Sequence, residues 1–79
     1  ARVEKKRAML EEICSRMTTD NALGLLFLGV ALHKLGRHRE AGERAREARR
    51  CLEESEFWRL RFAALQIEPH LVGLERALQ

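Results

Sequence analysis

The stretch that decides the fold is residues 28–48, LGVALHKLGRHREAGERAREA. It places small residues at helical spacing in two halves, with Gly29 in the first half and Ala41 in the second. Since missing side-chain volume lets two backbones approach closely, the pattern predicts two helices that cross where these residues meet. Gly36 lies between the halves, and glycine accepts the left-handed conformation that ends many helices. The residues expected to pack this helix pair are Leu25, Leu28, Gly29, Leu32, Ala41, Ala45 and Ala48.

Two helices are predicted in the first part of the chain. The apolar residues of 2–17 recur on one helical stripe, which is typical of an amphipathic helix. The second helix, 21–35, is apolar nearly all round, so other elements must cover it on more than one side. Asp20 is the best candidate for its N-cap, because a carboxylate accepts hydrogen bonds from the first helical amides.

Three more helices are predicted after Gly36. The first, 37–52, buries a narrow stripe of alanines and leaves charged residues outside. Ser55 is a plausible cap for a fourth helix, which should stop near Ile67 because the residue before a proline is pushed out of the helical region. Pro69 suits the first turn of a short fifth helix, 70–78.

These elements predict an all-α fold, an antiparallel array of four or five helices in a single domain of residues 1–79. A flanking helix in 1–17 precedes the central pair, and capping helices follow in 56–79. The chain begins with Ala1 and enters charged helix at once, which suggests an excised fragment of a longer protein or a processed chain, and we expect the former. A domain of this size buries a small fraction of its surface, so we expect marginal stability.

Composition narrows the class of protein. Fifteen basic and twelve acidic residues give a net charge of +3, too small to indicate nucleic acid by itself. The longest apolar run, 22–32, is shorter than the roughly 20 residues that a bilayer span needs, so we expect a soluble chain without membrane insertion. Cys14 and Cys51 lie inside predicted helices, which favours free thiols and an intracellular, reducing compartment, cytoplasmic or nuclear.

The central helix pair resembles the tetratricopeptide repeat (TPR), a helix-turn-helix unit of about 34 residues that stacks into a superhelix. The positions that match directly or conservatively are Leu25, Leu28, Gly29, Leu32, Gly36, Ala41 and Ala48. Ala45 departs from the usual aromatic residue, and Glu53 departs from the usual proline. The resemblance covers one repeat, 22–55, and implies that neighbouring helices or another molecule cover its faces.

In TPR proteins the first helix of each pair lines a concave groove. The resemblance implies that Leu23, Leu26, Val30 and His33 face such a groove. Members that hold acidic peptide tails have lysine and asparagine at such positions, so the resemblance implies an apolar helix or a hydrophobic peptide as the ligand. The alternative is that the same leucines form the core, covered by the first or fourth helix of the chain itself.

Aromatic residues concentrate in the predicted fourth helix. Phe57 and Trp58 are adjacent and therefore point in different directions from one helix. Phe62 and Leu65 lie on the side of Trp58, which assigns Trp58 to the core. Phe57 is then the expected surface anchor for a partner.

No chemistry-bearing signature appears in the sequence. His33, His38 and His70 have no cysteine or carboxylate at the spacing of a metal site, and neither cysteine has a base and an orienting group at a catalytic spacing. We therefore expect no enzyme, no cofactor and no metal.

The basic stretch 37–50 has glutamates interleaved at pairing distance. The spacings allow Glu40 to pair with Arg44, Glu43 with Arg46 and Glu47 with Arg50. This pattern favours a solvated, ion-paired surface over a nucleic-acid site.

The predicted function is a protein–protein interaction module, a scaffold or adaptor that binds an apolar helix or peptide of another protein. The alternative is a homo-oligomerisation domain without a foreign ligand, and a helical RNA-binding domain is the third possibility. The candidate partner-binding residues are Leu23, Leu26, Val30, His33 and Phe57.

Overall fold

The computed structural model describes residues 2–79 and contains five α-helices over that range. They are α1 (Arg2–Arg16), α2 (Ala22–Lys34), α3 (His38–Glu54), α4 (Glu56–Ala64) and α5 (Glu68–Ala77). Residues 2–79 contain no strand, so the predicted all-α helical array is confirmed.

Capping side chains set where α2 and α4 begin. Asn21 has an extended backbone, and its Oδ1 accepts a hydrogen bond from the Gly24 amide at 2.9 Å. The prediction of Asp20 as the N-cap is wrong, because Asp20 belongs to the preceding turn, where its amide donates to Thr18 Oγ1 at 3.0 Å. Ser55 caps α4 as predicted, since its hydroxyl accepts from the Trp58 amide.

Two residues with positive φ end α2 and α4. Gly36, at φ 82°, follows α2, and the next amide donates back to the Leu32 carbonyl at 2.9 Å. Gln66, at φ 55°, does the same after α4, where the Ile67 amide donates to the Phe62 carbonyl. Both ends have the Schellman arrangement. Because Gln66 adopts this conformation, α4 ends at Ala64, before the predicted position.

The helix pair α2–α3 has the most extensive contact between elements, and α5 packs against both helices. All seven residues predicted to pack this pair are buried. The main core joins α2 and α3 to α4 and α5 through Ala22, Leu25, Leu26, Ala45, Ala48, Leu52, Phe62, Leu71 and Leu74. This core contains the largest fully buried side chains, those of Phe62 and Leu71.

The helix α1 contacts this body along only part of its length. Cys14 and Met17, near its C-terminal end, pack against a second cluster of Leu28, Leu32 and Ala41. No residue of α1 is buried, and Val3 near its start is 77% exposed. Among residues 2–79, no helix combines the length and the apolar character needed to cross a bilayer.

Candidate interaction surfaces

The helix α4 presents apolar side chains to solvent. Phe57 is 62% exposed and Leu60 is 64% exposed, while Ala64 lies exposed one turn further along the same stripe. Together these three residues form what we call the α4 patch. The helical period explains it, because Phe62 points into the core and thereby turns Phe57 and Leu60 outward.

Ring contacts connect the α4 patch to the core. The Trp58 ring is half-buried and stands edge-on to Phe62, with centroids 6.3 Å apart, and to Phe57 at 5.3 Å. The Arg61 guanidinium lies 5.8 Å from the centroid of the Phe57 ring. Trp58 thus packs against the core as the sequence indicates, whereas Leu65, expected on the same side, is 52% exposed. The α4 patch is therefore an apolar surface that Trp58 connects to the core and that the Arg61 guanidinium borders.

The predicted residues of α2 are divided between core and surface. Leu26 is 2% exposed and belongs to the main core, so its assignment to an open partner-binding surface is wrong. The reason is geometric, because α4 and α5 contribute Phe62 and Leu71 to the same cluster and cover it. Leu23 and Val30 are partly buried and pack against that core.

Sequence reasoning missed Phe27, which is 50% exposed on α2. It lies four residues after Leu23 and three before Val30, so the three side chains share one face of the helix. Because α2 is apolar nearly all round, its composition gave little contrast between the buried and the exposed side. The signal was the spacing from Leu23, which places Phe27 away from Leu25 and Leu32.

A basic groove lies where the start of α1 passes the end of α2. Its volume is about 510 Å³. The lining residues are Val3, Lys6, Arg7 and Leu10 from α1 and His33, Lys34 and Leu35 from α2. Of the predicted partner-binding residues, only His33 lines this groove. Residues 3–10 of α1 were not expected here, because sequence spacing does not show which part of a helix extends beyond its neighbour.

Two of the three histidines, His33 and His38, are in contact with each other. The rings of His33 and His38 meet edge to face, with centroids 5.1 Å apart, across the turn between α2 and α3. Within residues 2–79, no group of three or more histidine, cysteine or acidic side chains is placed to hold a metal ion. The pair is therefore a contact that links two helix ends.

The ion pairs of α3 differ from those that the spacing suggested. Each glutamate pairs with an arginine nearer the N-terminus: Glu40 with Arg37, Glu43 with Arg39 and Glu47 with Arg44. The predicted partners Arg46 and Arg50 are exposed, whereas the Arg44 side chain is partly covered and 2.8 Å from Glu47. Partial burial restricts the arginine, which lowers the entropy cost of the pair.

Arg49 joins α3 to α5. Its Nη2 and Nε donate to the two carboxylate oxygens of Glu75 at 2.7 and 3.0 Å, and its Nη1 donates to Glu68 at 3.1 Å. The hydrogen bonds with Glu75 raise the pKa of Arg49, and burial opposes them only in part. The arginine is thus a charged connection between two helices.

Both cysteines are free in the structure. Burial raises the pKa of the Cys14 thiol, Arg37 lowers it, and the nearby carboxylates Glu11 and Glu40 raise it. The thiol is therefore less readily ionised than that of a free cysteine, which is the opposite of what a nucleophile needs.

No protein-family model, curated protein or solved structure matches this chain.

Proposed function

We propose that this chain is a protein–protein interaction module, a scaffold or adaptor that binds an apolar helix or hydrophobic peptide of a partner protein. The observation that carries this proposal is the α4 patch, where Phe57 and Leu60 are mostly exposed on a short, well-capped helix. Large exposed apolar side chains that form a contiguous patch are typical of binding surfaces.

The energy of such binding comes from burial of apolar surface. Fully covering a phenylalanine or leucine side chain contributes about 1.5–3 kcal/mol. The helix is already formed and Phe57 is held between Trp58 and Arg61, so little ordering remains to be done on binding. We assign Phe57 and Leu60 as the central anchors and Arg61 as part of the polar rim.

The TPR resemblance is part of this proposal. On that reading, α2 is the first helix of the central pair and α4 the first helix of the pair that follows. The exposed Phe27 and the partly exposed Leu23 and Val30 would then belong to the same kind of recognition surface as the α4 patch. The free Cys14 and Cys51 support a reducing compartment as its location.

The test begins with replacement of Phe57 by a photoreactive benzoylphenylalanine in the full chain. Proteins crosslinked on irradiation in a cell extract are identified by mass spectrometry, purified, and titrated against the unlabelled chain by calorimetry. Binding should fall at least about tenfold in Phe57→Ser/Leu60→Ser. The control, Met9→Ser/Leu65→Ser, removes one exposed apolar side chain from α1 and one from the end of α4 outside the patch, and should bind like the wild type.

Equal affinity of both double variants would contradict the proposal. Crosslinks only between copies of the chain, together with a solution mass that rises with concentration and falls in Phe57→Ser/Leu60→Ser, would establish the homo-oligomerisation alternative instead.

A further inference from the structure

The basic groove between α1 and α2 combines three apolar side chains with three that carry a positive charge. Val3, Leu10 and Leu35 provide the apolar surface, and Lys6, Arg7 and Lys34 provide the charges, with His33 as the seventh lining residue. Among residues 2–79, no acidic side chain lines the groove. A ligand complementary to this lining combines apolar groups with negative charge.

The groove exists because α1 is held at one end. Cys14 and Met17 pack against α2 and α3. The backbone of Thr18 also lies so close to Gly24 that a Cβ atom added at Gly24 would overlap the Thr18 carbonyl oxygen. The first turns of α1 then extend along the end of α2 without a third helix to cover them.

We propose that this groove binds an acidic amphipathic helix of a partner protein. The inference rests on the proposed function and adds a second contact surface to it. Val3 and Leu10 are seven residues apart on one stripe and therefore about 10.5 Å apart along α1. Apolar side chains at i and i+7 of a partner helix span the same distance, which is the usual arrangement for a helix bound in a groove. Carboxylates beside them would meet Lys6, Arg7 and Lys34.

A second copy of the chain fits this groove less well. The α4 patch is an exposed apolar surface that such a copy could offer, and Arg61 lies over Phe57 there. Docking that patch would bring Arg61 against Lys6 and Arg7, and like charges across an interface oppose binding. Three of the glutamates of α3, Glu40, Glu43 and Glu47, are also paired with Arg37, Arg39 and Arg44 in the ion pairs described above.

The experiment measures fluorescence anisotropy of a labelled helical peptide of about four turns, with leucines at i, i+3 and i+7 and glutamates beside them. Two further peptides have lysine in place of glutamate, or the same composition in shuffled order. The wild-type chain should bind the first peptide and neither of the others, and binding should weaken as salt rises.

The groove variant is Lys6→Glu/Arg7→Glu, and its matched control is Arg46→Glu/Arg50→Glu on α3, which changes the net charge equally. We expect at least about a tenfold loss of affinity in the groove variant and less than about twofold in the control. Circular dichroism of the groove and control variants must show equal helix content, so that unfolding does not explain the loss of binding in the groove variant. Val3→Asn should weaken binding about threefold and Met9→Asn should not.

Several results would overturn the inference. They are no binding of the acidic peptide, equal losses in the groove and control variants, or groove-dependent binding of single-stranded RNA or phosphatidylserine vesicles with none of the peptide. Phe57→Ser/Leu60→Ser should bind the peptide like the wild type. Failure at the α4 patch is thereby distinguishable from failure at the groove.

Discussion

Gly29 lies directly against the backbone of Ala41: a Cβ atom added at Gly29 would stand 3.6 Å from the Ala41 carbonyl oxygen. The same atom would stand 2.9 Å from Cδ2 of Leu74, so α5 also reaches this crossing point. The missing side chain therefore determines how closely three helices approach one another.

Replacing Gly29 by valine should destabilise the chain by about 2 kcal/mol, because the added methyl groups meet Leu74 and the α3 backbone in a packed interior. Gly42→Ala is the matched control. It lies within α3, and its Cβ would touch only the end of the Arg46 side chain at 3.4 Å. Alanine there should stabilise the chain by about 0.5–1 kcal/mol through helix propensity. Chemical denaturation followed by circular dichroism measures both, and a Gly29→Val variant as stable as wild type would contradict the close approach.

The N-cap of α2 gives a second prediction. Asn21→Ala should cost about 1 kcal/mol, because the Gly24 amide loses the oxygen that accepts its hydrogen bond. Asp20→Ala should change the free energy of unfolding by only a few tenths of a kcal/mol, since the Asp20 side chain accepts no capping bond. Thermal unfolding of both variants tests which residue is the N-cap of α2. A larger loss of stability for Asp20→Ala than for Asn21→Ala would reverse the assignment.

Much of the fold could be predicted because the chain marks its helix ends with residues of narrow conformational preference. Gly36, Ser55 and Pro69 each end or begin a helix near the place that the sequence indicates. The end of α4 escaped prediction because a glutamine, Gln66, takes the left-handed conformation, and glutamine gives no such signal. Asp20 and Asn21 are both competent caps, and only the path of the preceding turn selects one.

The surfaces were harder to predict than the helices. Phe57 was found because its neighbour Trp58 and the buried Phe62 fix the inward direction of α4. Leu26 and Phe27 were not separated, because α2 has no polar residue from Ala22 to Leu32 to mark its exposed side. The basic groove depends on how α1 packs along α2. That packing is a tertiary feature, and local sequence patterns do not determine it.

The bidentate contact of Arg49 with Glu75 gives a third prediction. Arg49→Lys keeps the charge but loses the forked geometry, so we expect a loss of about 1 kcal/mol of stability. Arg46→Lys, on the exposed side of the same helix, should be neutral. The raised pKa of Arg49 keeps it protonated through the ordinary pH range, so loss of the arginine's own charge would remove this contribution only in strong alkali. Urea denaturation of both variants measures the difference, and an equal effect at the two positions would show that Arg49 does not connect α3 to α5.

The fourth prediction concerns the thiol of Cys14 and is made in the Cys51→Ser variant, where it is the one remaining cysteine. Because burial raises the pKa of Cys14, its alkylation by iodoacetamide should reach half its maximal rate at a pH above 9.0, the ordinary value. In urea, where the helices are unfolded, the midpoint should return toward that value. Glu11→Gln should lower the midpoint of the folded chain, because this carboxylate raises the pKa.

The same shift has a consequence for stability. Folding favours the protonated thiol, so the stabilisation that accompanies the shift is fully present below the unfolded pKa of Cys14. It is lost as the pH rises through the folded value. When the pH is raised above 9.0, a Cys14→Ala substitution in the Cys51→Ser variant should therefore lose less stability than the Cys51→Ser variant itself. A folded chain whose Cys14 is alkylated at the same pH midpoint as the urea-unfolded chain would show that the contact of α1 with α2 and α3 does not form in solution.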